Sequence, residues 1–297
     1  MSGLPVCVQR TAIAAQEVKA FQRDGAVLLR NVLGPTELEL LRAGVEEAYR
    51  RPTPRYSRVQ SAEGHGETLV DQLPSLASPS LGALVSGGHI AEIAARMMGT
   101  PSAQLVLDQL FYKRPGCIVP TPWHQDTPFL CVRGHGIARV WLTCDRSPAD
   151  LTVQVVRGSH RWNVIYSTQS EAASDVRTIE DGGAFSYDSI GDTSQPPTPD
   201  IERHRGSFDI MTFEVEPGDA VVFHGHVLHG AAGRDYYPLP RRAFAMLWGG
   251  PELRCYRPGG FTMPTVGQLT GYEAPHGARI ADHPEEFPVY WREGART

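Results

Sequence analysis

The sequence predicts an α+β fold, mainly β, in which helices from the first part of the chain back a sheet formed by the later part. Helical periodicity is confined to residues 14–102. From residue 103 onward the apolar segments are short and separated by glycine and proline, which is typical of β-sandwiches and barrels. The 297 residues include 30 glycines and 24 prolines, and this indicates more turns than a helical bundle has.

Three helices precede most of the predicted strands, an order that is typical of α+β proteins. The first helix covers Ala14–Arg23 and ends at Gly25, because glycine readily adopts the left-handed conformation that follows a helix. The second begins at Pro35 and the third covers Gly88–Met98. The predicted strands are Ala26–Arg30, Ala103–Lys113, Ala138–Cys144, Leu151–Val156, Phe208–Val215, Ala220–His224 and Arg242–Trp248.

A long segment rich in Ser, Thr, Asp, Gly and Pro interrupts the strands between Trp162 and Gly206. Loops of this length inside a compact domain commonly form lids or binding loops. We therefore expect a lid insertion over residues 162–206, with a disordered insertion as the alternative.

Composition and charge exclude several classes of protein. The net charge of -5 gives no basic surface for nucleic acid, and no apolar stretch is long enough to span a bilayer. The first residues lack the apolar segment of a secretory signal. The five cysteines are scattered and odd in number, so we expect reduced thiols in a cytoplasmic protein. No feature of the sequence predicts an oligomeric state.

The segment Thr121–Pro128 contains the first candidate metal ligands, His124 and Asp126. On an extended strand, residues i and i+2 point to the same side, so the imidazole and the carboxylate would approach one point. A His-x-Asp pair alone is weak evidence, because a metal site needs at least one further ligand.

A second segment supplies that ligand. Pro217, Gly218 and Asp219 form a turn into an apolar strand, and three histidines, His224, His226 and His229, follow at its end. Any of the three could complete the site. Two histidines and one carboxylate on one face of a metal leave coordination positions open, which suits a non-haem Fe(II) oxygenase.

Two adjacent arginines, Arg241 and Arg242, are candidates for binding a cosubstrate. An iron centre of this kind needs two further electrons to use O2, and a 2-keto acid can supply them. The distal carboxylate of that acid requires a planar, bidentate partner, which arginine provides. Strand alternation favours Arg241, whose face carries alanines that leave room, over Arg242, which shares its face with large apolar residues.

These residues lie in stretches that resemble the phytanoyl-CoA dioxygenase-like branch of the Fe(II)/2-oxoglutarate oxygenases. Taken together, the similar stretches extend over residues 14–250. They are Phe21–Arg30, Pro122–Asp126, Gly158–Trp162, and Gly218 through His229 to Ala243.

The resemblance implies a double-stranded β-helix, a jelly roll of the cupin type, with N-terminal helices backing the major sheet. We expect a single domain over residues 1–297. It would have a helical part over 14–102, a jelly-roll core over 103–250 that includes the lid, and a C-terminal extension over 251–297.

The resemblance also implies the residues of the active site. His124, Asp126 and His229 would bind iron, and Arg241 would bind the C5 carboxylate of 2-oxoglutarate. Three further cosubstrate contacts follow from the same resemblance: Trp141, Gln109 and Thr152. Related sequences often have serine where this chain has Ala231, so one familiar contact to 2-oxoglutarate is missing.

The implied function is hydroxylation of a C–H bond in a small organic molecule, with Fe(II), 2-oxoglutarate and O2 consumed and succinate and CO2 released. Ascorbate would support the reaction in vitro. Halogenases of this class carry a small residue where this chain has Asp126, so hydroxylation is favoured. The alternatives are desaturation, cyclisation or epoxidation at the same centre, and a non-catalytic protein that binds metal or 2-oxoglutarate. The dispersed basic residues favour a small metabolite over an acyl-CoA ester.

Overall fold

The computed structural model describes residues 9–10, 12–167, 176–181, 195–257 and 262–294. The helices are α1 (Ala15–Asp24), α2 (Pro35–Arg50), α3 (Pro79–Ser86), α4 (His89–Met98) and α5 (Val266–Thr270). The strands are β1 (Ala26–Leu29), β2 (Tyr56–Ser61), β3 (Thr68–Gln72), β4 (Ser102–Lys113), β5 (Gly116–Ile118), β6 (Thr121–His124), β7 (Val132–Arg133), β8 (Ile137–Thr143), β9 (Gln154–Val156), β10 (Val176–Asp181), β11 (Ile210–Met211), β12 (Ala220–His224), β13 (His229–Ala231), β14 (Arg234–Tyr237), β15 (Arg241–Gly249), β16 (Arg254–Cys255) and β17 (Val289–Arg292).

Two antiparallel sheets form the body of the molecule. The major sheet has nine strands in the order β1-β12-β8-β15-β4-β3-β2-β10, with β17 paired to β4. The minor sheet has four strands in the order β11-β9-β13-β6. Helices near the start of the chain pack on the major sheet, and this confirms the predicted α+β, mainly β, architecture.

The alternation of side chains in β15 separates two hydrophobic clusters. Ala243 and Ala245 face the space between the sheets, where they pack with Trp141. Phe244 and Met246 face the helices and belong to the large cluster that includes residues of α2 and α4. The strand therefore sends one face to the helical layer and the other to the interior of the jelly roll, as the sequence predicts.

Gly25 joins α1 to the first strand of the major sheet. It has φ of +82°, and its N–H donates to the carbonyl of Phe21 at 2.8 Å. A Cβ atom at this position would lie 2.5 Å from both His160 Nδ1 and Val227 Cγ1. The predicted glycine at the helix end is thus required by its conformation and by the close approach of these two side chains.

Several elements differ from the prediction. The helix α3 and the strands β2 and β3 were not expected, because buried polar residues such as Asp71 and Gln72 disrupt the apolar pattern of β3. The strand expected over Leu151–Val156 is only β9, since the N–H groups of residues 151 and 152 donate to Pro148 in a turn. The strand expected over Phe208–Val215 is reduced to β11 and a single bridge at residue 215.

Part of the segment expected as a lid belongs to the major sheet instead. The strand β10 pairs with β2 at the sheet edge. Residues 168–175 and 182–194 of this segment lie outside the described residues. The lid and the division of the chain into parts therefore stay predictions.

Two further expectations concern the thiols and the membrane. The cysteines in the described ranges, Cys117, Cys131, Cys144 and Cys255, are all free, whereas Cys7 lies outside those ranges. Within the described parts of the chain, every helix is too short or too polar to cross a bilayer.

Candidate functional site

Two histidines lie side by side because their strands are neighbours in the minor sheet. The strand β6 pairs with β13 so that His124 lies directly opposite His229. Directly opposed residues of an antiparallel pair place their side chains on the same face. The two imidazole rings therefore pack against each other, with 4.2 Å between their centroids.

Asp126 joins these histidines from the turn that follows β6. Its Oδ1 lies 4.0 Å from His124 Nε2 and 3.7 Å from His229 Nε2. The sequence predicts that Asp126 lies on an extended strand, but the strand ends at His124 and Asp126 has helical dihedral angles. The carboxylate reaches the predicted point because the chain turns inward after the histidine.

Gln125 fixes this turn from the opposite side. Its amide donates to the carbonyls of His226 at 2.8 Å and Val164 at 3.0 Å, and its side-chain oxygen accepts from the N–H of Tyr166 at 2.8 Å. The residue between the two candidate ligands thus ties the turn to the chain just before His229.

The hydrogen bonds of the two imidazoles determine which nitrogen faces the shared space. His124 Nδ1 lies 2.7 Å from the carbonyl of Pro122, and His229 Nδ1 lies 3.1 Å from the carbonyl of Val227. A carbonyl only accepts, so each Nδ1 carries the proton and each Nε2 presents a lone pair. The metal-binding atoms of His124, Asp126 and His229 all lie within 4.8 Å of one another.

Arg139 holds the second oxygen of the candidate carboxylate ligand. Its Nε donates to Asp126 Oδ2 at 2.8 Å, and its Nη1 donates to Gln109 Oε1 at 2.6 Å. The arginine side chain is buried. Because Arg139 occupies Oδ2, Oδ1 is the oxygen that faces the two histidines.

Burial sets the ionisation of these side chains. Burial lowers the pKa of His124 below its ordinary value. Burial and the neighbouring His124 lower the pKa of His229 to about 3. Burial would raise the pKa of Asp126, but the charge of Arg139 and its hydrogen bond to the carboxylate act against burial, and this pKa is lowered. At neutral pH the cluster therefore consists of two neutral imidazoles and a carboxylate, the forms that bind a divalent metal.

The cluster opens into a cavity of about 610 Å³, including its mouth, between the two sheets. The major sheet contributes Phe111, Trp141 and Phe223 to the walls, and the minor sheet contributes Thr121 and Ala231. Aromatic and aliphatic side chains make the wall largely apolar, as is usual for small-molecule sites.

Arg241 lines the same cavity and is only 4% exposed. Its guanidinium lies 5.6 Å from the ring centroid of Trp141. Its Nε has no hydrogen-bond partner, and no carboxylate of the described residues forms an ion pair with it. Burial lowers the pKa of Arg241 to about 10, so the group is still charged at neutral pH. A buried, unpaired guanidinium indicates a site for an anion.

Arg242 lies on the other face of β15 and has two acidic partners. It donates to Asp145 and to Glu46 Oε1 at 2.8 Å, and thereby ties the strand to α2. Hydrogen bonding to Asp145 raises the pKa of Arg242. Of the two arginines left open by the sequence, only Arg241 therefore faces the cavity.

The three further residues expected near the cosubstrate have different positions. Trp141 and Gln109 line the cavity. Thr152 does not, because it is fully buried and its hydroxyl bonds to Ser147 and Pro148 within its own turn. Its neighbour Val153 lines the cavity instead.

The sequence does not predict several of the cavity residues, among them Arg139 and Met263. Arg139 is the charged residue of an otherwise apolar strand and shares a face with Trp141, which is a signal that could have identified it. Met263 comes from the C-terminal part of the chain, and its N–H donates to the carbonyl of Phe129 at 2.7 Å. Nothing in the sequence near Met263 indicated this contact.

The other histidines of the second motif form a separate cluster with His135. The ring nitrogens of His135, His224 and His226 also lie within 4.8 Å of one another. However, His224 Nε2 bonds to the carbonyl of His135 at 2.9 Å, and His224 Nδ1 accepts from the N–H of His226 at 3.1 Å. Both nitrogens of His224 are occupied, so this cluster has a structural role. Of the three histidines considered, His229 is the one that meets His124 and Asp126.

Comparisons with known proteins identify the scaffold. The family model for phytanoyl-CoA dioxygenase (PhyH) matches residues 21–234. No curated protein sequence matches the chain. The structure of the non-haem α-ketoglutarate-dependent epimerase SnoN from nogalamycin biosynthesis is similar, with a TM-score of 0.68, 18% identity, and coverage of 95% of this chain and 97% of SnoN.

Two other solved structures give the same result. The carbocyclase SnoK, also from nogalamycin biosynthesis, has a TM-score of 0.65 and 18% identity, with 93% of this chain and 96% of SnoK covered. Iron-bound EctD from S. alaskensis has a TM-score of 0.62 and 18% identity, with 93% and 91% covered. These similarities confirm the predicted jelly-roll fold.

Replacing Arg139 tests the charge balance of the cluster. Arg139→Met leaves Asp126 buried without its cation, so we expect the free energy of unfolding of the metal-free protein to fall by about 3 kcal/mol. Added Mn(II) should stabilise this variant more than the unmodified protein, because the metal replaces the missing charge. Chemical denaturation with and without Mn(II) measures both effects. Arg146→Met, at an exposed ion pair, is the control and should change stability by less than about 1 kcal/mol. If Mn(II) raises the stability of the unmodified protein, Arg139→Met and Arg146→Met by the same amount, Arg139 does not have this electrostatic role.

The structural histidine cluster predicts a specific dependence of stability on pH. Burial and neighbouring histidines lower the pKa of His224 to about 3 and that of His226 to about 4. Below about pH 6.5 the unfolded chain binds protons that the folded chain does not, so stability falls as the pH decreases. Each such histidine contributes a slope of about 1.4 kcal/mol per pH unit.

His224→Gln should therefore reduce the slope between about pH 4.5 and 5.5 by about 1.4 kcal/mol per unit. Urea unfolding across this range gives the slope independently of any overall loss of stability. His65→Gln, at an exposed position, should leave the slope unchanged. The account is wrong if His224→Gln and His65→Gln give the same slope.

Proposed function

Since this chain belongs to the phytanoyl-CoA dioxygenase family of non-haem Fe(II)- and 2-oxoglutarate-dependent oxygenases, we propose that it hydroxylates a C–H bond of a small organic molecule. Succinate and CO2 would be the other products. One observation carries this proposal. A cluster of two neutral histidines and one carboxylate opens into a cavity that also contains a buried arginine, for which the described residues provide no counter-ion.

His124, Asp126 and His229 are suited to hold Fe(II). They offer two imidazole Nε2 atoms and one carboxylate oxygen from one side, and such a ligand set leaves coordination positions free. When bound, iron and 2-oxoglutarate together activate O2 for oxidation of a substrate C–H bond. The backbone carbonyls of Pro122 and Val227 hold the two imidazoles in the tautomer that this role requires.

Arg241 is suited to bind the distal carboxylate of 2-oxoglutarate. A bidentate pair with a carboxylate would satisfy its unpaired Nε and neutralise its buried charge. Trp141, packed near the guanidinium, limits the orientations that Arg241 can adopt. Gln109 contributes through Arg139, whose guanidinium it holds beside Asp126.

The remaining walls favour a small, partly apolar substrate. Phe111, Phe129, Phe223 and Met263 line the cavity and give it apolar walls near the proposed metal ligands. The solved structures similar to this chain include enzymes with small-molecule substrates, such as EctD in complex with 5-hydroxyectoine. The absence of a clustered basic patch on the sequence favours such a molecule over an acyl-CoA ester.

The same ligands would also support a second outcome, in which hydrogen removal leads to ring closure, desaturation or inversion. The similarity to the epimerase SnoN and the carbocyclase SnoK supports this second candidate function. Product mass separates most of these outcomes. Hydroxylation adds one oxygen atom, desaturation and ring closure remove two hydrogens, and epimerisation leaves the mass unchanged.

The adjacent arginines of β15 provide a matched test of the cosubstrate site. Arg241→Met should raise the KM for 2-oxoglutarate by about a hundredfold, because two charge-assisted hydrogen bonds are lost. Arg242→Met should leave this KM nearly unchanged, since Arg242 bonds to Asp145 and Glu46 on the other face. Succinate formation with Fe(II) and ascorbate, measured against 2-oxoglutarate concentration, gives both values.

Asp126→Ala should form no succinate from 2-oxoglutarate, so its signal gives the baseline of this assay. If the unmodified protein forms no succinate beyond the Asp126→Ala level, with or without a library of small metabolites, the proposed activity is wrong. If both arginine variants raise the KM equally, the assignment of Arg241 is wrong.

A further inference from the structure

One wall of the cavity comes from the C-terminal part of the chain. Met263 lines the cavity and is buried, although it belongs to neither of the two sheets. Its N–H donates to the carbonyl of Phe129 at 2.7 Å. The ring of Phe129 in turn meets the ring of His124 edge-on, with 5.8 Å between their centroids. Met263 therefore borders the cavity on the side of Phe129, next to the candidate metal ligands.

The side chain of Met263 lies at the end of the cavity that is away from Arg241. Gln109 Nε2 donates to Met263 Sδ at 3.5 Å. Gln109 is directly opposite Ala245 in the pairing of β4 with β15, and Ala245 is four residues from Arg241 along β15. Four residues of a strand span about 13 Å. A cosubstrate held between the metal ligands and Arg241 would therefore leave the space beside Met263 to the substrate.

A buried carboxylate fixes the chain on both sides of Met263. Glu286 is fully buried, and its Oε1 accepts from Arg257 Nη2 at 2.6 Å and from Thr265 Oγ1 at 2.7 Å. Its Oε2 accepts from the N–H of Ala274 at 2.6 Å. Arg257 precedes Met263 in the chain and Thr265 follows it. Glu286 therefore ties together the two ends of the segment that carries Met263.

Close packing holds this carboxylate and the segment attached to it. A Cβ atom on Gly267 would lie 2.6 Å from the Cα atom of Glu286, so α5 approaches Glu286 as closely as glycine permits. The guanidinium of Arg133 stacks on the ring of Tyr256 at 3.9 Å, and the N–H of Tyr256 donates to the carbonyl of Cys131 at 2.7 Å. The C-terminal part of the chain thus holds Met263 as a fixed wall.

We propose that Met263 is a specificity-determining residue that limits the size of the substrate group admitted beside the metal ligands, and that Glu286 is the positioning residue that holds it there. Phe129 and the thioether of Met263 offer an apolar surface on this side. The substrate is then a small molecule that presents an apolar group of the width of a single ring. This inference rests on the proposed function, since it concerns the substrate of the same site.

The test compares two apolar probes of different size. Fluorobenzene has one ring and fluoronaphthalene has two. Each probe is titrated into protein that is loaded with Mn(II) and saturated with 2-oxoglutarate. Paramagnetic broadening of the fluorine resonance reports a probe that binds near the metal, and its concentration dependence gives the Kd. The same titration with diamagnetic Zn(II) corrects for binding elsewhere on the protein.

Substitutions of methionine isolate the wall. Met263→Ala should tighten the binding of fluoronaphthalene by about tenfold and change that of fluorobenzene by less than about twofold, because only the larger probe needs the space that is opened. Met263→Leu nearly keeps the volume and should bind both probes like the unmodified protein. Met98→Ala, in α4 of the helical layer, is the control and should also bind both probes like the unmodified protein.

Substitution of Glu286 tests the positioning role. Glu286→Gln removes the charge that Arg257 and Thr265 share, so Met263 is held less firmly. Fluoronaphthalene should then bind about threefold more tightly relative to fluorobenzene. A merely structural role would lower the stability of the protein but leave the ratio of the two Kd values unchanged. Thr265→Val removes one of the same bonds and gives the same comparison if Glu286→Gln does not fold.

The outcomes separate this inference from the function on which it rests. The role of Met263 is overturned if Met263→Ala and Met98→Ala bind fluoronaphthalene equally, if Met263→Ala tightens both probes equally, or if Mn(II) broadens neither probe in any variant. The proposed function still stands in these cases if the unmodified protein forms succinate above the Asp126→Ala level, and it fails if no succinate forms. If Glu286→Gln and Thr265→Val both leave the ratio of Kd values unchanged, the positioning role of Glu286 is wrong.

Discussion

The pairing of β6 with β13 is the constraint on which the rest of the site depends. It sets His124 opposite His229, residues that are more than one hundred positions apart in the chain, and gives their imidazoles a common face. The turn after β6 then brings Asp126 to the same point. A shift of this register by one residue would turn one histidine to the other face of the minor sheet and separate the cluster.

The electrostatics of the cavity follow from burial. Arg139 has a carboxylate partner, but Arg241 has none among the described residues, although it is almost fully buried. Unpaired buried charges are expensive, and proteins retain them where a ligand completes the pairing. This charge distribution supports the proposal that the cavity binds a metal and an anion, as a cosubstrate with a chelating keto-acid end and a distal carboxylate would require.

Much of the site could be predicted from the sequence because its elements obey local rules. Strand alternation favoured Arg241 over Arg242, and the end of the predicted first helix marked Gly25. The role of Arg139 was not predicted, because its partners Asp126 and Gln109 come from other segments of the chain. Thr152 failed to reach the cavity because its hydroxyl satisfies a turn that ends the expected strand early. Local periodicity identifies the face of a strand, but it does not identify the partner across a jelly roll.

Metal titration tests the central claim most directly, because the described part of the chain contains two clusters of three potential ligands. The account predicts that one Mn(II) binds per chain, that His229→Ala removes this binding, and that His226→Ala retains it. Calorimetric titration of the three proteins without O2 distinguishes the clusters. The account is contradicted if His229→Ala still binds the metal, or if His226→Ala loses the metal while His229→Ala keeps it.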